Sequence, residues 1–245
     1  MLTVAIAGAP DENGGLGSAT IYRYNGSTWL PQKITQTSPV NQGFFGSSVA
    51  ISGNRAIVGV PNGVVIPSQS GLAVIYDYNG SNWIVKQNLF DAARDNGDNF
   101  GCSVSISGNN AIVGARLDDN PLGNEGSATI YEYDGSVWAT IQKLKLTASN
   151  SINASLGYSV SISGNYALAG AFTDDVNSVT DQGTATLFVK IGSFWQRVQL
   201  ITDPQGMQND RLGAAGALDA GTGRFITASD NFNNGQGKVI FGKIN

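Results

Sequence analysis

Short runs of alternating apolar and polar residues, bounded by glycine and asparagine, make up most of the chain. In residues 100–115, two such runs, Ser103–Ser107 and Ala111–Ala115, flank the step Gly108-Asn109. Alternation with a period of two predicts β-strands, and a Gly-Asn step between two runs predicts a tight turn. The stretch is therefore interpreted as a β-hairpin.

This hairpin is repeated along the chain. Four copies begin at Phe45-Gly46, Phe100-Gly101, Leu156-Gly157 and Leu212-Gly213. The copies start 55, 56 and 56 residues apart, which indicates a tandem repeat rather than a bias in composition. A partial copy, Val4–Pro10, matches only the second strand of the hairpin, so the chain begins inside a unit.

A second hairpin follows the partial copy and the first three of the four copies. Its turn ends in glycine and is followed by a tryptophan, and these tryptophans are Trp29, Trp83, Trp138 and Trp195. Asn-Gly and Asp-Gly turns between alternating runs are strong hairpin signals. One complete unit therefore contains four antiparallel strands. Units of this length, with no helical periodicity, predict an all-β propeller of four-stranded blades, with an open β-solenoid as the alternative.

We expect a single propeller domain over residues 1–245, with repeat units at about 1–44, 45–99, 100–155, 156–211 and 212–245. Five blades are predicted, of which the first lacks strand one and the last lacks strand four. A propeller ordinarily closes when one terminus completes the blade of the other. Here the terminal units overlap at strands two and three, so a fragment of a larger ring and completion by a neighbouring molecule both remain open.

The repeat resembles the FG-GAP repeat, which builds the propeller of integrin α-subunits and occurs in many extracellular bacterial proteins. Phe45-Gly46 is followed by Gly59-Val60-Pro61, and Phe100-Gly101 by Gly114-Ala115. The resemblance covers nearly the whole chain. It implies a propeller whose first strand is innermost and whose surfaces serve adhesion or ligand binding rather than catalysis.

The chain departs from this family at one functional point. Integrin-type repeats often carry a calcium loop, Asp-x-Asp-x-Asp-Gly, between strands one and two. Here that connection is only Ser-Gly-Asn, as at Ser52-Gly53-Asn54, so the calcium site of the family is not carried over.

Composition excludes several kinds of chemistry. The chain has no histidine, which removes the usual general base near neutral pH, the commonest zinc ligand and most catalytic triads. Its single cysteine, Cys102, excludes an internal disulfide framework and is interpreted as a core thiol. No apolar run is long enough to span a membrane as a helix. Residues 1–6 begin directly with a strand pattern, so we expect no signal segment within this chain.

The long loops concentrate the negative charge. In an antiparallel blade, the two-to-three and four-to-one connections lie on one face of the propeller, and all the long loops belong to these classes. They contain 14 of the 18 acidic residues but three of the 14 basic residues, Arg94, Arg116 and Arg211. A face of this charge disfavours nucleic acid and favours cations, basic partners or contact with a second copy.

Ligand binding is predicted on this long-loop face. The predicted residues are Asp11, Glu12, Asp95, Asp98, Arg116, Asp118, Asp119, Asp174, Asp175, Asp181 and Asp210. Carboxylates are suitable ligands for calcium, and the candidate metal ligands are Asp95, Asp98, Asp118, Asp119, Asp174 and Asp175. The alternative is that Asp, Asn and Gly in these loops form turns.

The four tryptophans have two interpretations, because they could stack on sugar rings or pack one blade on the next. The innermost strands offer little for catalysis, since Asp219 is their single charged residue. The sequence therefore predicts a non-enzymatic, extracellular binding or adhesion module that contacts a protein or glycan. The alternative is a structural subunit of a filament or sheath, assembled head-to-tail or by strand exchange. No cofactor is required, and calcium is possible.

Overall fold

The computed structural model describes residues 3–37, 42–64, 69–93, 95–119, 123–146 and 152–244. Five antiparallel sheets follow one another along this part of the chain, and each pairs its strands in sequence order. We number the sheets blade 1 to blade 5. The predicted all-β propeller with an incomplete first and last blade is confirmed.

The strand boundaries follow the repeat. Blade 1 contains β1 (Val4–Ala9), β2 (Ser18–Tyr24) and β3 (Trp29–Ile34). Blade 2 contains β4 (Val49–Ser52), β5 (Arg55–Val60), β6 (Leu72–Tyr78) and β7 (Trp83–Leu89). Blade 3 contains β8 (Phe100–Ser107), β9 (Asn110–Ala115), β10 (Ser127–Tyr133) and β11 (Trp138–Leu144). Blade 4 contains β12 (Leu156–Ser163), β13 (Tyr166–Ala171), β14 (Thr184–Ile191) and β15 (Phe194–Ile201). Blade 5 contains β16 (Leu212–Asp219), β17 (Arg224–Ser229) and β18 (Lys238–Lys243).

Two short helices interrupt the all-β pattern. They are α1 (Glu12–Gly15) and α2 (Phe232–Gly235), and each lies in the connection between the second and third strands of its unit. Asn13, Gly14 and Gly15 have positive φ, so α1 is an irregular turn rather than a regular helix. The sequence did not predict them, because a helix of four residues is a single turn and shows no periodicity.

The first strand of each repeat is innermost, as the family resemblance implies. Strands β4, β8, β12 and β16 contact one another in this order, whereas the tryptophan strands β7, β11 and β15 form the outer edges of their sheets. The core lies between successive blades. Between blades 2 and 3, for example, Ile57 and Ile75 pack against Val113 and Trp138.

A glycine on the second strand sets the spacing between blades. Gly59 lies against the carbonyl of Gly101, the glycine of the Phe-Gly pair of the next blade, and a Cβ atom added to Gly59 would overlap that carbonyl. Gly114 meets Gly157 in the same way, and Gly170 meets Gly213. The repeated glycine is therefore required by close approach of two backbones.

The two terminal blades do not form a closed ring. Blade 1 begins with the second strand of the repeat and blade 5 ends with the third. Within the described part of the chain, extensive contacts join each blade to the next in sequence, and none joins blade 5 to blade 1. No helix among the described residues is long and apolar enough to cross a membrane.

Candidate binding face

The long loops meet on one side of the sheets and brace one another across blades. The backbone N–H of Gln69 donates a hydrogen bond to Asn96 Oδ1 at 2.8 Å. Asn124 Nδ2 donates to Asn153 Oδ1 at 3.0 Å across the next pair of loops. Parallel bridges such as Gly71 to Phe100 join the start of a third strand to the following blade. The described parts of these loops are therefore braced against one another by hydrogen bonds.

Two acidic loop residues share one partly buried cation. Lys143 Nζ lies 2.6 Å from Asp91 Oδ2 and 2.5 Å from Asp118 Oδ2. Both carboxylates are less than a tenth exposed. Burial alone lowers the pKa of Lys143, but the hydrogen bonds to Asp118 and Asp91 outweigh it, so the net pKa is raised. Lys143 therefore remains charged and holds two loops together.

Asp98 belongs to the same buried group. Its side chain is 2% exposed, and its Oδ2 accepts a hydrogen bond from the Asp95 N–H at 2.7 Å. Burial raises the pKa of Asp98 to about 6, a hydrogen bond from Asp95 opposes the rise, and the negative charge of Asp118 adds to it. Asp98 therefore titrates in a range where ordinary surface carboxylates are fully ionised.

The loop before blade 5 repeats this arrangement. Asp210 Oδ2 accepts from the Met207 N–H at 2.6 Å, and Asp203 Oδ1 accepts from the Gln205 N–H at 3.1 Å. Lys238 Nζ lies 2.5 Å from Asp203 Oδ2. Because Asp203 and Asp210 are both buried and accept backbone hydrogen bonds within their own loop, these carboxylates stabilise the loop that contains them.

Four of the predicted ligand-binding side chains are thus buried, namely Asp98, Asp118, Asp174 and Asp210. Asp174 Oδ2 accepts a hydrogen bond from Thr184 Oγ1 at 2.9 Å. The sequence did not distinguish these residues from their exposed neighbours, because both kinds occur in the same Asp- and Gly-containing loops.

Four others are exposed on the long-loop face: Asp11, Asp95, Asp119 and Asp175. Asp119 Oδ1 accepts from the Asn124 N–H at 2.8 Å, and Asp175 Oδ1 accepts from the Asp181 N–H at 2.9 Å. Each of these turns holds one carboxylate oxygen in place at the surface.

The remaining predicted residues are partly buried. Glu12 pairs with Lys33 and Ser18, and the Lys33 hydrogen bond is the main cause of a lowered Glu12 pKa. Asp181 is half-buried behind Asp175. Arg116 lies beside Cys102, where burial raises the pKa of the thiol and Arg116 opposes the rise. Arg94, which the sequence also placed on this face, lies outside the described residues.

The predicted metal ligands do not converge. Among the described residues, no group of three or more Asp, Glu, Cys or His side chains is arranged to hold a metal ion. Asp91 and Asp118 do approach a common point, but the ammonium group of Lys143 occupies it. The sequence analysis did not identify Lys143 as a partner of these carboxylates. Its position directly before Leu144, the last and buried residue of an outer strand, was the one feature that could have indicated this role.

The tryptophans pack between blades. Trp83, Trp138 and Trp195 are 3–5% exposed and belong to the cores between their own blade and the preceding one. Trp29 differs, with 48% of its surface exposed, because no blade covers it. The packing interpretation therefore holds for three of the four tryptophans.

The described innermost strands carry serines rather than paired carboxylates. Ser105 and Ser161 accept hydrogen bonds from the N–H groups of Ile162 and Leu218 at 3.1 Å. These hydroxyl groups therefore join one blade to the next.

The fold and the braced loop face define a protein built from β-propeller blades. Residues 83–131 and 140–188 match the family model of the FG-GAP repeat. These two segments are therefore similar to FG-GAP repeats, which is consistent with the FG-GAP β-propeller family. Comparison with curated proteins finds no match. FG-GAP repeats are typical of extracellular and surface proteins, and the family is generally non-enzymatic.

Proposed function

We propose that the protein is a non-enzymatic, extracellular binding or adhesion module that contacts a protein or glycan through its long-loop face. One observation carries the proposal: Asp95, Asp119 and Asp175 present exposed carboxylates on loops that are braced to neighbouring blades. A rigid scaffold that displays variable loops is a common basis for recognition. The exposed charge favours a ligand with basic groups.

This function is tested by measuring the binding of surface proteins, glycans and basic peptides to the immobilised protein. Asp95→Asn, Asp119→Asn and Asp175→Asn combined should weaken binding at least tenfold while leaving the unfolding transition in place. Asp134→Asn is the matched control, because Asp134 lies at a turn between the third and fourth strands, where Asn25 and Asn79 accept the same two backbone hydrogen bonds. The proposal would be wrong if the protein turned over a substrate and bound no member of this panel.

Calcium binding at the predicted carboxylates stays a prediction. Calcium bound to exposed loops would raise the unfolding temperature by mass action, and a chelator would reverse the increase. The triple variant above tests whether any such increase arises from Asp95, Asp119 and Asp175. An unfolding temperature that does not respond to millimolar calcium would exclude this site.

The second candidate function is structural, as a subunit of an extracellular assembly. The observation that favours it is that blades 1 and 5 each leave one sheet face uncovered, with Trp29 and Phe241 48% and 79% exposed. Because the uncovered faces of blades 1 and 5 differ from one another, binding of one to the other between copies would be heterologous and would permit open polymers. Molar mass measured across protein concentration and salt separates this function from ligand binding by a monomer.

A further inference from the structure

The uncovered face of blade 5 is largely apolar. Its apolar part consists of Ala215, Ala217, Ile226, Ala228, Val239 and Phe241, and the charged residues Asp219, Arg224 and Lys243 lie at one end of it; together we call them the leading face. Ile226 and Phe241 stand directly opposite each other on β17 and β18. In blade 3, the same repeat positions hold Ile112 and Ile130, which are fully buried against blade 4. The leading face therefore has the apolar side chains of an interface between blades.

The uncovered face of blade 1 is the opposite half of such an interface. It consists of Ala5, Ala7, Tyr22, Tyr24, Trp29 and Pro31, which we call the trailing face. Tyr24 and Trp29 form an aromatic pair with ring centroids 5.4 Å apart. In blade 3, the corresponding pair of Tyr133 and Trp138 has centroids 5.5 Å apart and faces blade 2.

A charged residue completes the match. In blade 2, the guanidinium of Arg55 lies 4.2 Å from the Tyr133 ring centroid of the next blade and 5.6 Å from that of Trp138. Arg224 holds the same repeat position in blade 5 and is exposed. An adjoining Tyr24–Trp29 pair would provide the aromatic faces that Arg224 lacks.

The leading face has lost the groups that contact a first strand of the next blade. Ser103 Oγ donates to Gly157 O at 2.6 Å, and Ser159 Oγ donates to Gly213 O at 2.7 Å. Blade 5 has Ala215 at this position. Ser105 and Ser161, which accept from the next first strand, correspond to Ala217.

Blade 5 also lacks the glycine of the second strand that sets the spacing between successive blades. Gly8, Gly59, Gly114 and Gly170 each approach the Phe-Gly or Leu-Gly carbonyl of the following blade so closely that a Cβ atom would overlap it. Blade 5 has Ala228 at this position. A following blade with a complete first strand would therefore clash, whereas the described residues of blade 1 include no first strand that could place a carbonyl there.

We propose that the leading face of one copy docks on the trailing face of a second copy of this chain, with Ile226 and Phe241 against Tyr22 and Trp29, and Arg224 over the Tyr24–Trp29 pair. The inference deepens the structural candidate above and does not depend on ligand binding by the long loops. The two faces differ, so the contact is heterologous and each copy can use both. The joint lacks the serine contacts of the internal joints, so the association is reversible and increases with concentration.

Complementary variants test this arrangement. Phe241→Lys removes the leading face, Trp29→Lys removes the trailing face, and Phe194→Lys is the control, because Phe194 is 68% exposed and lies on neither face. Light scattering should show a mass that increases with concentration for the wild-type protein and for Phe194→Lys. Each of the other two variants alone should stay at the monomer mass of 25.5 kDa.

An equimolar mixture of Phe241→Lys and Trp29→Lys should form a species of twice the monomer mass and nothing larger, because one intact joint remains. A mixture that stays monomeric while the wild-type protein associates would overturn the proposed faces but keep the structural function. A wild-type protein that is monomeric at all concentrations would overturn both. If the wild-type protein is monomeric and Phe241→Lys and Trp29→Lys both unfold at a lower temperature than the wild-type protein, the leading face is covered by blade 1 of the same chain.

Discussion

The side-chain amide of Gln87 clamps the backbone of Trp138 in the next blade. Gln87 Nε2 donates to Trp138 O at 2.8 Å, and Trp138 N donates to Gln87 Oε1 at 2.9 Å. Gln142 makes the same pair of bonds to Trp195. Since each clamp joins the outer strands of successive blades, it fixes their relative position far from the innermost strands.

Replacing Gln87 with leucine should lower the free energy of unfolding by about 1–3 kcal/mol, because the partly buried N–H and C=O of Trp138 lose their partners. Urea denaturation measures the change. Gln199→Leu is the matched control, because Gln199 holds the same repeat position in β15 and is exposed. Equal losses for the two variants would show that the clamp does not stabilise the joint.

Replacing Lys143 with methionine should destabilise the protein by about 3–5 kcal/mol at pH 7, because Asp91 and Asp118 would remain buried without their shared cation. Thermal and urea unfolding measure the loss. Lys145→Met, at an exposed position two residues further along, should change stability by less than about 0.5 kcal/mol. A Lys143→Met protein as stable as the Lys145→Met protein would contradict this account of the cluster.

Asp98 should make stability depend on pH between about 4 and 6. Its pKa is raised from 3.8 to about 6 in the folded protein, so the folded state binds more protons than the unfolded state in this range. Its contribution to stability is complete below about pH 4 and is lost as the pH rises through 6. The difference corresponds to roughly 3 kcal/mol.

The variant Asp98→Asn keeps an acceptor for the Asp95 N–H and cannot ionise. We expect the free energy of unfolding of this variant to exceed that of the wild-type protein at pH 7, and the difference to shrink as the pH falls to 4. Urea titrations at several pH values measure both curves. Parallel curves for the two proteins would rule out Asp98 as the titrating group.

Alanine at Gly114 should destabilise the joint between blades 3 and 4 by at least about 1–3 kcal/mol, because the added Cβ overlaps the Gly157 carbonyl and neither backbone can move alone. The reverse change, Ala228→Gly, removes a methyl group from an uncovered face and should cost less than about 1 kcal/mol. Thermal unfolding compares the two variants. A Gly114→Ala protein with unchanged stability would show that the close approach is not required.

The strands and their grouping into blades could be predicted because they depend on local signals. Gly108-Asn109 and Asp134-Gly135 mark turns whose backbone conformations require these residue types, with positive φ at Gly108 and Gly135. The missing first and last strands followed from counting the same signals.

The chemistry of the loop face could not be predicted in the same way. Asp98 and Asp95 are three residues apart and of the same type, yet one is buried and the other exposed. The carboxyl of Asp98 lies within the electrostatic reach of Asp118 on the neighbouring loop and of Lys143, which lies 45 positions away in sequence. The same holds for the Gln87 clamp, because its partner is a backbone rather than a recognisable side chain.

Blade 5 differs from the other blades inside its sheet as well. Phe225 and Gly242 stand opposite each other on β17 and β18, where blade 3 has Ala111 and Tyr131. The Phe225 ring fills the space above Gly242, so the large and small partners have exchanged strands.

This exchange couples positions 225 and 242. A Tyr at 242 with Phe225 retained would overfill the sheet face, and an Ala at 225 with Gly242 retained would leave a cavity. Either single step carries a stability cost that the second step removes. Phe225→Ala and Gly242→Tyr should therefore each destabilise blade 5 alone and compensate each other when combined.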